Sequence, residues 1–297
     1  MWSMPAQTPS PSVVVIGSLN MDLIGRTAAF PRPGETVLGS TFVTAPGGKG
    51  ANQAVAAARA GATVAMIGAV GDDAFAGELR EHLTAIGVDV TGVRTVDGPT
   101  GVAMITVDDT AENTIVVLPG ANGRITGLGA DDRDTVAGAA ALLAQLEVPP
   151  GTVVAAAELA HGAGVPVILN PSPVVDVPDE LWALVSVVVV NESEARAYAD
   201  RLTGIDWCVT TLGAAGCDVR GPDGSRTHVD AFAVDAIDTT GAGDAFAGTL
   251  AAAWAAGLTP PDAVRRACAA GALATTVPGA GGAAPTAAAV DRLLAAR

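Results

Sequence analysis

Short apolar runs alternate along this chain with longer stretches that have the composition of helices. Residues 13–16 are four β-branched residues that end at Gly17, and residues 187–190 are four consecutive valines. Runs of this kind predict strands that are buried on both faces of a sheet. We therefore predict an α/β fold, a doubly wound, mostly parallel sheet flanked by helices. Further strands are predicted near residues 63–67, 139–146, 165–169 and 208–212, and helices over 51–60, 153–161, 194–202, 243–256, 261–276 and 287–296.

Two regions interrupt this alternation. Residues 36–44 and 100–118 are rich in Thr and Val with partial polar alternation, and we expect neither to be followed at once by a crossover helix. This pattern is typical of half-buried antiparallel strands, so we predict a small β-sheet lid over one end of the main sheet. We expect residues 1–11 to be a disordered tail and 12–297 to be one α/β domain. Its lid strands come from about residues 20–28, 35–45 and 99–119.

The amino-acid composition and the net charge exclude some classes of binding partner. The 297 residues are 49% hydrophobic, which is enough for a sizeable core, but only 3% are aromatic and the net charge is −15. Few aromatic rings leave little on which nucleobases could stack, and an acidic surface repels a phosphate backbone. We therefore expect no nucleic-acid partner. A single nucleotide is still compatible with this charge, because a few backbone amides, a lysine and a cation can bind it locally.

The cysteines and the apolar segments indicate the cellular compartment in which the protein is expected. Cys208, Cys217 and Cys268 lack the spacing of a metal site and are odd in number, which predicts free thiols in a reducing compartment. Residues 1–12 lack the basic region of a signal peptide. The longest apolar helical run, 245–258, is shorter than a membrane span requires. We expect a soluble cytoplasmic protein without a membrane partner.

Gly241-Ala242-Gly243-Asp244 is the most informative motif. It follows Asp238-Thr239-Thr240 and opens a predicted helix. Glycines at a helix start let backbone N–H groups approach an oxyanion, so this segment can form an anion hole for a phosphoryl group. Asp244 beside it could accept a proton from an attacking hydroxyl. Alternatively, Asp244 is an N-cap after a Gly-rich turn. A dinucleotide fingerprint is excluded, since Phe246 stands where its third Gly belongs.

Residues 47–53, Gly-Gly-Lys-Gly-Ala-Asn-Gln, form a second Gly-rich segment at a predicted helix start. The spacing does not match a phosphate-binding P-loop. Glycines here allow a ligand to lie against the backbone, and Lys49 and Asn52 offer donors and acceptors suited to a polyhydroxylated molecule. The alternative is a flexible surface turn.

Polar residues also follow several predicted strands. Asn20 and Asp22 come after the first strand and Glu147 after a later one, where ligands of open α/β sheets bind. Asx turns explain them equally well. Asn191 and Glu194 begin a helix after residues 187–190; they could order the waters of Mg²⁺, or they could form a capping box.

Taken in order from about Ser12 to the carboxy terminus, these motifs resemble the ribokinase family of carbohydrate kinases, and the sugar-site set is most similar to that of its ribose-specific members. The resemblance rests on residues 17–22, 47–53, 146–147, 169–171, 191–194, 211–213 and 238–244.

The resemblance implies transfer of the γ-phosphoryl group of ATP to the 5-hydroxyl of D-ribose, with Asp244 as the catalytic base. It implies Mg²⁺ and a monovalent cation, usually K⁺, as cofactors, and a homodimer formed through the lid. The implied anion hole is Gly241, Ala242 and Gly243, and the implied sugar site is Asn20, Met21, Asp22, Gly48, Lys49, Gly50, Ala51, Asn52 and Glu147.

The other implied sites lie mostly in the carboxy-terminal half. ATP contacts are implied for Asn191, Thr211, Leu212, Gly213, Ala214, Ala215, Gly216, Gly243, Asp244 and Cys268. Glu194 would bind Mg²⁺ through water. The monovalent cation would be held, mostly by main-chain oxygens, at Asp238, Thr240, Ala274, Val277, Gly279 and Ala283.

Two departures and three alternatives qualify the resemblance. The chain is shorter than the family pattern by about one helix between Asn191 and Thr211, and Ala283 stands where family members commonly carry a Ser. The alternatives are a kinase of another small sugar such as fructose, a nucleoside kinase acting on adenosine, and a non-catalytic sugar sensor. A sugar-acid substrate is disfavoured because its carboxylate would meet Asp22 and Glu147.

Overall fold

The strands were located in a computed structural model that describes residues 12–110, 112–279 and 282–296. The tail expected at residues 1–11 lies outside these ranges. In chain order the strands are β1 (Ser12–Ile16), β2 (Asn20–Thr27), β3 (Gly39–Gly47), β4 (Thr63–Val70), β5 (Val88–Asp89), β6 (Val93–Thr95), β7 (Gly101–Val107), β8 (Asn113–Leu118), β9 (Ala141–Ala144), β10 (Val167–Leu169), β11 (Val187–Asn191), β12 (Trp207–Thr211), β13 (Cys217–Arg220) and β14 (Arg226–Val229).

The helices alternate with these strands over most of the chain. They are α1 (Lys49–Arg59), α2 (Ala74–Ala85), α3 (Ala130–Ala137), α4 (Pro150–Gly162), α5 (Asp179–Trp182), α6 (Glu192–Ala197), α7 (Ala199–Leu202), α8 (Ala242–Ala255), α9 (Pro260–Ala274) and α10 (Ala287–Ala295). Across the described part of the chain, every helix falls short of the length and apolar character of a membrane span.

The main sheet confirms the predicted doubly wound α/β fold. Its order is β14-β13-β12-β11-β10-β9-β1-β4-β5, with β6 also paired to β4, and only the pairings of β13 with its two neighbours are antiparallel. Side chains of β1 alternate between two cores: Val13 and Val15 pack with α1 and α8, while Val14 and Ile16 pack with α4. The chain leaves β1 toward β4 on one side and later returns to β9 on the other. Ligand crevices form at such switch points, beyond the carboxyl ends of the strands.

A second sheet of order β3-β2-β7-β8 forms the lid. Strands β2 and β3 pair antiparallel, as do β7 and β8, but β2 and β7 pair parallel, so the expectation of a purely antiparallel lid was wrong for its central pair. The reason is that β2 and β7 both leave the main sheet at the same edge and run outward from it. Asn20 pairs with Gly101 at their common start.

Two local expectations need correction. Strand β3 ends at Gly47 and α1 begins at Lys49, so a lid strand does lead directly into a helix. Gly48, with φ 90°, makes this turn possible because the left-handed region is open to glycine. The single helix expected over 194–202 is instead broken at Tyr198. The Tyr198 hydroxyl bonds both the N–H and the C=O of Val175, and its ring packs on Trp182, so tertiary contacts place the break.

Candidate active site

The close packing of α8 against α1 builds the catalytic end of the site. Gly248 makes this approach possible: a Cβ added there would lie 2.4 Å from the backbone oxygen of Gln53 and 2.6 Å from Ala56 Cβ. Both helices begin at the carboxyl edge of the main sheet. Their first turns therefore lie side by side, and polar side chains from each can meet.

Asp244 is the third residue of α8 and is only 8% exposed. Its Oδ2 accepts from Asn52 Nδ2 at 3.2 Å and its Oδ1 from Gln53 Nε2 at 2.9 Å. The N-cap of α8 is Gly241, in the left-handed conformation at φ 78°. The alternative that Asp244 is an N-cap is therefore wrong, because its carboxylate bonds to α1 and not to the first turn of its own helix.

The first turn of α8 keeps free N–H groups. Ala242 N–H donates to Thr239 O at 3.2 Å, so it closes the turn before the helix. Within the described residues, the N–H groups of Gly241 and Gly243 donate to no backbone or side-chain acceptor. Unpaired N–H groups at a helix start, reinforced by the helix dipole, can bind an anion. Gly241 and Gly243 are thus available for the predicted anion hole, whereas Ala242 is committed to the turn.

The Gly-rich start of α1 is packed against the end of β1. Gly47, Gly48 and Gly50 are buried, so the alternative of a flexible surface turn is wrong. A Cβ at Gly50 would lie 2.5 Å from the Ser18 nitrogen, and glycine is therefore required for this contact. Ala51 N–H donates to Ser18 O at 2.9 Å and completes the junction.

Glu147 ties this junction to the end of β9. Its Oε2 accepts from Ser18 Oγ at 2.5 Å and from Lys49 N–H at 3.0 Å. Ser18 Oγ in turn accepts from Gly50 N–H at 3.3 Å. One carboxylate oxygen thus holds β1, α1 and the segment after β9 in a fixed arrangement. This long-range role excludes an Asx-type turn for Glu147.

Asn20 opens β2 and is oriented by a residue that the sequence analysis missed. Asn122 is 1% exposed; its Oδ1 accepts from Leu19 N–H at 2.9 Å and its Nδ2 donates to Leu19 O at 3.0 Å. The same Nδ2 donates to Asn20 Oδ1 at 2.7 Å, so Asn20 offers its N–H group to a ligand. The Asx-turn alternative for Asn20 is wrong. Asn122 lies in Pro-Gly-Ala-Asn-Gly, which by itself indicates only a turn.

Asp22 lies further along β2, facing the start of α1. A Cβ at Gly47 would be 2.4 Å from Asp22 Oδ2, so the carboxylate lies directly over this glycine. Burial raises the pKa of Asp22 to about 7, and the nearby charges of Glu147 and Asp244 add to the effect. Asp22 is paired within β2 and belongs to the lid, so the Asx-turn alternative is wrong here too. Met21, its neighbour, is fully buried and supports the strand.

Lys49 is the ammonium among these carboxylates. Burial alone would lower its pKa, but attraction by Asp244, Glu147 and Glu194 outweighs burial and raises the pKa above its ordinary value. Lys49 therefore stays charged at neutral pH. Its field reaches carboxylates predicted for the sugar, for proton transfer and for Mg²⁺, so the structure brings these three groups together.

The residues predicted to contact ATP form a row across neighbouring strands. Asn191 at the end of β11 pairs in register with Thr211 of β12, and Thr211 pairs with Cys217 of β13. Cys217 Sγ lies 3.3 Å from Cys268 Sγ of α9. This hydrogen bond and burial raise the pKa of Cys217, so the Cys217 thiol is protonated at neutral pH. Residues 212–216 continue from β12 as a turn closed by the Leu212 N–H to Gly216 O bond of 2.8 Å.

Asn191 and Glu194 form the capping box considered above as an alternative. Asn191 Oδ1 accepts from the N–H groups of Ser193 and Glu194, and Glu194 Oε2 accepts from Asn191 N–H at 2.9 Å. The bonds use one carboxylate oxygen of Glu194 and leave Oε1 for other partners. Capping and a water-mediated magnesium contact are therefore compatible.

Asp238 joins the two loops predicted to hold a monovalent cation. Its Oδ1 accepts from Thr240 N–H and its Oδ2 from Gly279 N–H, each at 2.9 Å. Burial would raise its pKa, but these bonds lower it, so Asp238 is ionised. Ala274 is buried in α9 and Val277 is exposed. Ala283 is buried, but the described residues show no hydrogen bond between it and the Asp238 loop; its neighbours accept from Arg59 at the end of α1.

A doubly wound sheet, an open helix start beside a buried carboxylate, and a polar cluster under a β lid together define a small-molecule phosphotransferase of the α/β class. A family model described as pfkB family carbohydrate kinase matches residues 10–287. The chain belongs to this family, and the resemblance drawn from the sequence is confirmed.

Relatives and solved structures match between 80% and 97% of this chain. Ribokinase from Haemophilus influenzae is 38% identical over 293 residues, which cover 93% of this chain and 95% of the relative. Deoxyribokinase from Salmonella typhi is 36% identical and covers 80% of this chain and 84% of its own. The solved structure of Arabidopsis thaliana ribokinase complexed with ribose and ATP has a TM-score of 0.89 at 30% identity, covering 97% of this chain and 99% of its own.

Proposed function

We propose that this chain transfers the γ-phosphoryl group of ATP to the 5-hydroxyl of D-ribose, giving D-ribose 5-phosphate and ADP. The observation that carries the proposal is the buried Asp244 carboxylate, held by Asn52 and Gln53 beside the free N–H groups of the α8 start. Ribokinases at 38% and 30% identity, the latter bound to ribose and ATP, support the choice of substrates.

The polar groups on the sugar side match a molecule rich in hydroxyls. Asn20 offers an N–H donor, and the carboxylates of Asp22 and Glu147 offer acceptors. We assign sugar binding to these residues together with Asn52 and Lys49. Buried sites of this kind discriminate strongly, because a ligand that lacks a matching hydroxyl leaves one of them unpaired.

Asp244 acts as the general base. Its carboxylate accepts the proton of the 5-hydroxyl while the hydroxyl oxygen forms a bond to the γ-phosphorus and the bond from that phosphorus to ADP breaks. The N–H groups of Gly241 and Gly243 stabilise charge on the equatorial phosphoryl oxygens. Because the transition state is loose, positioning and charge stabilisation contribute more of the rate than the base does.

Two cations complete the proposal. Magnesium supplies positive charge to the phosphate oxygens, and Glu194 Oε1 and Asn191 are the groups that would bind its waters. For potassium, the main-chain oxygens of Asp238, Thr240, Ala274, Val277 and Gly279 would be hard ligands of the required type, and Asp238 holds the two segments together. Ala283 contributes no hydroxyl there.

We also propose that two chains pair through the lid. Strand β8 is exposed along its whole length and lies at the edge of the lid sheet. Large apolar side chains are exposed on the lid, and such patches mark protein interfaces. They are Phe42, Val43, Met104, Ile115, Val116, Val117 and Leu118.

The decisive experiment compares Asp244→Ala with the wild type in a coupled ADP-release assay. Turnover with ribose should fall at least about 10²-fold while calorimetry still detects both substrates, because only the base is removed. Asp262→Ala is the matched control: Asp262 lies in the first turn of α9 and bonds Thr259, so turnover should stay near the wild-type value. Undiminished turnover in Asp244→Ala would remove this residue from catalysis.

The wild type should also be assayed with ribose, 2-deoxyribose, fructose and adenosine. We expect the highest kcat/KM with ribose. A higher kcat/KM with another member of the panel would identify that compound, and not ribose, as the substrate. If none of the four is phosphorylated, the result would favour the non-catalytic sugar sensor.

A further inference from the structure

Gln53 occupies a position for which neither the motifs nor the sugar site provides a role. It follows Asn52 in the first turns of α1 and is completely buried, so it contacts no solvent. Its Nε2 donates to Asp244 Oδ1 at 2.9 Å, while Asn52 Nδ2 donates to Oδ2 at 3.2 Å. Each oxygen of the predicted base thus has its own amide donor. Two donors, one on each oxygen, define the plane and the direction of a carboxylate.

The hydrogen bonds of the Gln53 side-chain amide allow only one of its two orientations. Its Nε2 donates to Asp244 and also to Asn170 Oδ1 at 3.0 Å, and its Oε1 accepts from Gln145 Nε2 at 2.6 Å. A flipped amide would place its oxygen against two acceptors and its N–H groups against a donor. Asn170 is itself held by Val189 O at 3.0 Å. Contacts from β9, β10 and β11 therefore determine the direction in which Gln53 donates.

Gln145 keeps this arrangement although one of its own atoms has no partner. Among the described residues, Gln145 Oε1 is buried without a hydrogen bond. It also lies against Gly17, where an added Cβ would be only 1.9 Å away. Buried unpaired polar atoms are rare and need a reason. The reason here is that Gln145 uses its N–H to fix Gln53.

We propose that Gln53, fixed by Gln145, is a positioning residue that orients the Asp244 carboxylate toward the attacking hydroxyl. The inference rests on the proposed function, because it assigns Gln53 a task only if Asp244 is the base. Gln53 is completely buried and its amide is engaged by Asp244, Asn170 and Gln145, so we assign it no contact with the sugar or the nucleotide. Its loss should therefore act on turnover and not on substrate binding.

The test is a double-mutant cycle between Gln53 and Asp244. Gln53→Met keeps the volume and removes both donors; kcat should fall about 10- to 100-fold, with KM for ribose and ATP changed less than about twofold. In the Asp244→Ala background the same substitution should change the residual turnover less than about twofold, because its target is gone. Asn122→Leu, an equally buried amide on the sugar side, is the contrast and should raise KM for ribose.

The outcomes separate the two proposals. Full turnover in Asp244→Ala would reject the assignment of the base itself. If Asp244→Ala is inactive but Gln53→Met retains wild-type kcat, only the positioning role is rejected. An equal loss from Gln53→Met in both backgrounds would likewise reject it, since a purely structural effect does not depend on Asp244.

Discussion

At the scale of residues, carboxylates outnumber cations on the sugar side of the site. Burial raises the pKa of Asp22 to about 7, and Glu147 and Asp244 add to this effect. The pKa of Lys49 is also raised, since attraction by its carboxylate neighbours outweighs burial. Without substrate, Asp22 is therefore partly protonated near neutral pH, whereas Lys49 is charged. The empty site therefore carries the cost of a largely buried carboxylate, and repulsion from the neighbouring carboxylates adds to that cost.

The raised pKa of Asp22 makes a prediction about stability and pH. The folded chain holds a proton on Asp22 that the unfolded chain releases, so the stability of the wild type should fall as pH rises from about 4 to about 7 and the full cost should persist above 7. The shift sets an upper limit of about 4 kcal/mol. Asp22→Asn has no carboxylate to ionise at this position, so its stability relative to the wild type should be greater at pH 8 than at pH 5.

Urea unfolding of both proteins without substrates at the two pH values measures this difference. Comparing the two proteins at each pH cancels the titration of groups that they share. A stability difference that is the same at pH 5 and pH 8 would show that Asp22 titrates normally.

At the scale of elements, the contact between α1 and α8 decides the geometry of the catalytic end. Gly248 lies in the middle of α8 against the backbone of Gln53 and the Cβ of Ala56. The same approach brings Asp244 within hydrogen-bonding distance of Asn52 and Gln53. Moving one helix away from the other by a fraction of an ångström lengthens both bonds.

Gly248→Ala should therefore reduce both stability and turnover. The added Cβ would lie 2.4 Å from a backbone oxygen, so the helices must separate, at a cost of about 1–3 kcal/mol. Gly77→Ala is the matched control: Gly77 lies within α2 with no atom within 4 Å of an added Cβ, and the substitution should stabilise by about 0.5–1 kcal/mol. Thermal unfolding and kcat of both variants check this. Wild-type turnover in Gly248→Ala would show that the Asp244 bonds tolerate the shift.

At the scale of the molecule, the sheet separates two kinds of binding residues. Those predicted for the sugar follow β1 and β9, and those predicted for ATP follow β11 and β12, with Asn170 after β10 bonded toward both sides. The lid extends from the sugar side, because β2 begins at Asn20, shortly after β1 ends at Ile16. The large apolar side chains of the lid named above stay exposed in a single chain, and such surfaces are typical of protein interfaces.

A charge placed on the lid should separate the proposed dimer. Met104 and Val116 pair in register, and both are at least half exposed, at 52% and 57%. We expect Val116→Glu to sediment as a monomer at micromolar concentration, where the wild type has twice the monomer mass. Val174→Glu is the control, because Val174 is 50% exposed but lies outside the lid, and it should remain dimeric. A wild type that is monomeric at every concentration would reject pairing through the lid.

The sequence by itself determined most of the elements that carry the site, their order and the chemical types of the candidate site residues, but not α2, α3, β13 or β14. Valine runs such as 187–190 became strands, and Ala-rich stretches such as 243–256 became helices with ends within about two residues of those predicted. These features depend on short-range periodicity and on glycines at turns. The motif order was sufficient for the family, since each motif is a local pattern that survives without knowledge of contacts.

Only the tertiary structure decided how these residues act together. The bonds from Asn122 to Asn20 and from Gln53 to Asp244 join residues 102 and 191 positions apart, and no local pattern encodes them. The same applies to the parallel pairing within the lid and to the helix break at Tyr198. Asp244 was recognised from its motif as a carboxylate at a helix start. Whether it capped its own helix or faced α1 depended on helix packing around Gly248, because side-chain direction is set by the neighbours that burial brings into contact.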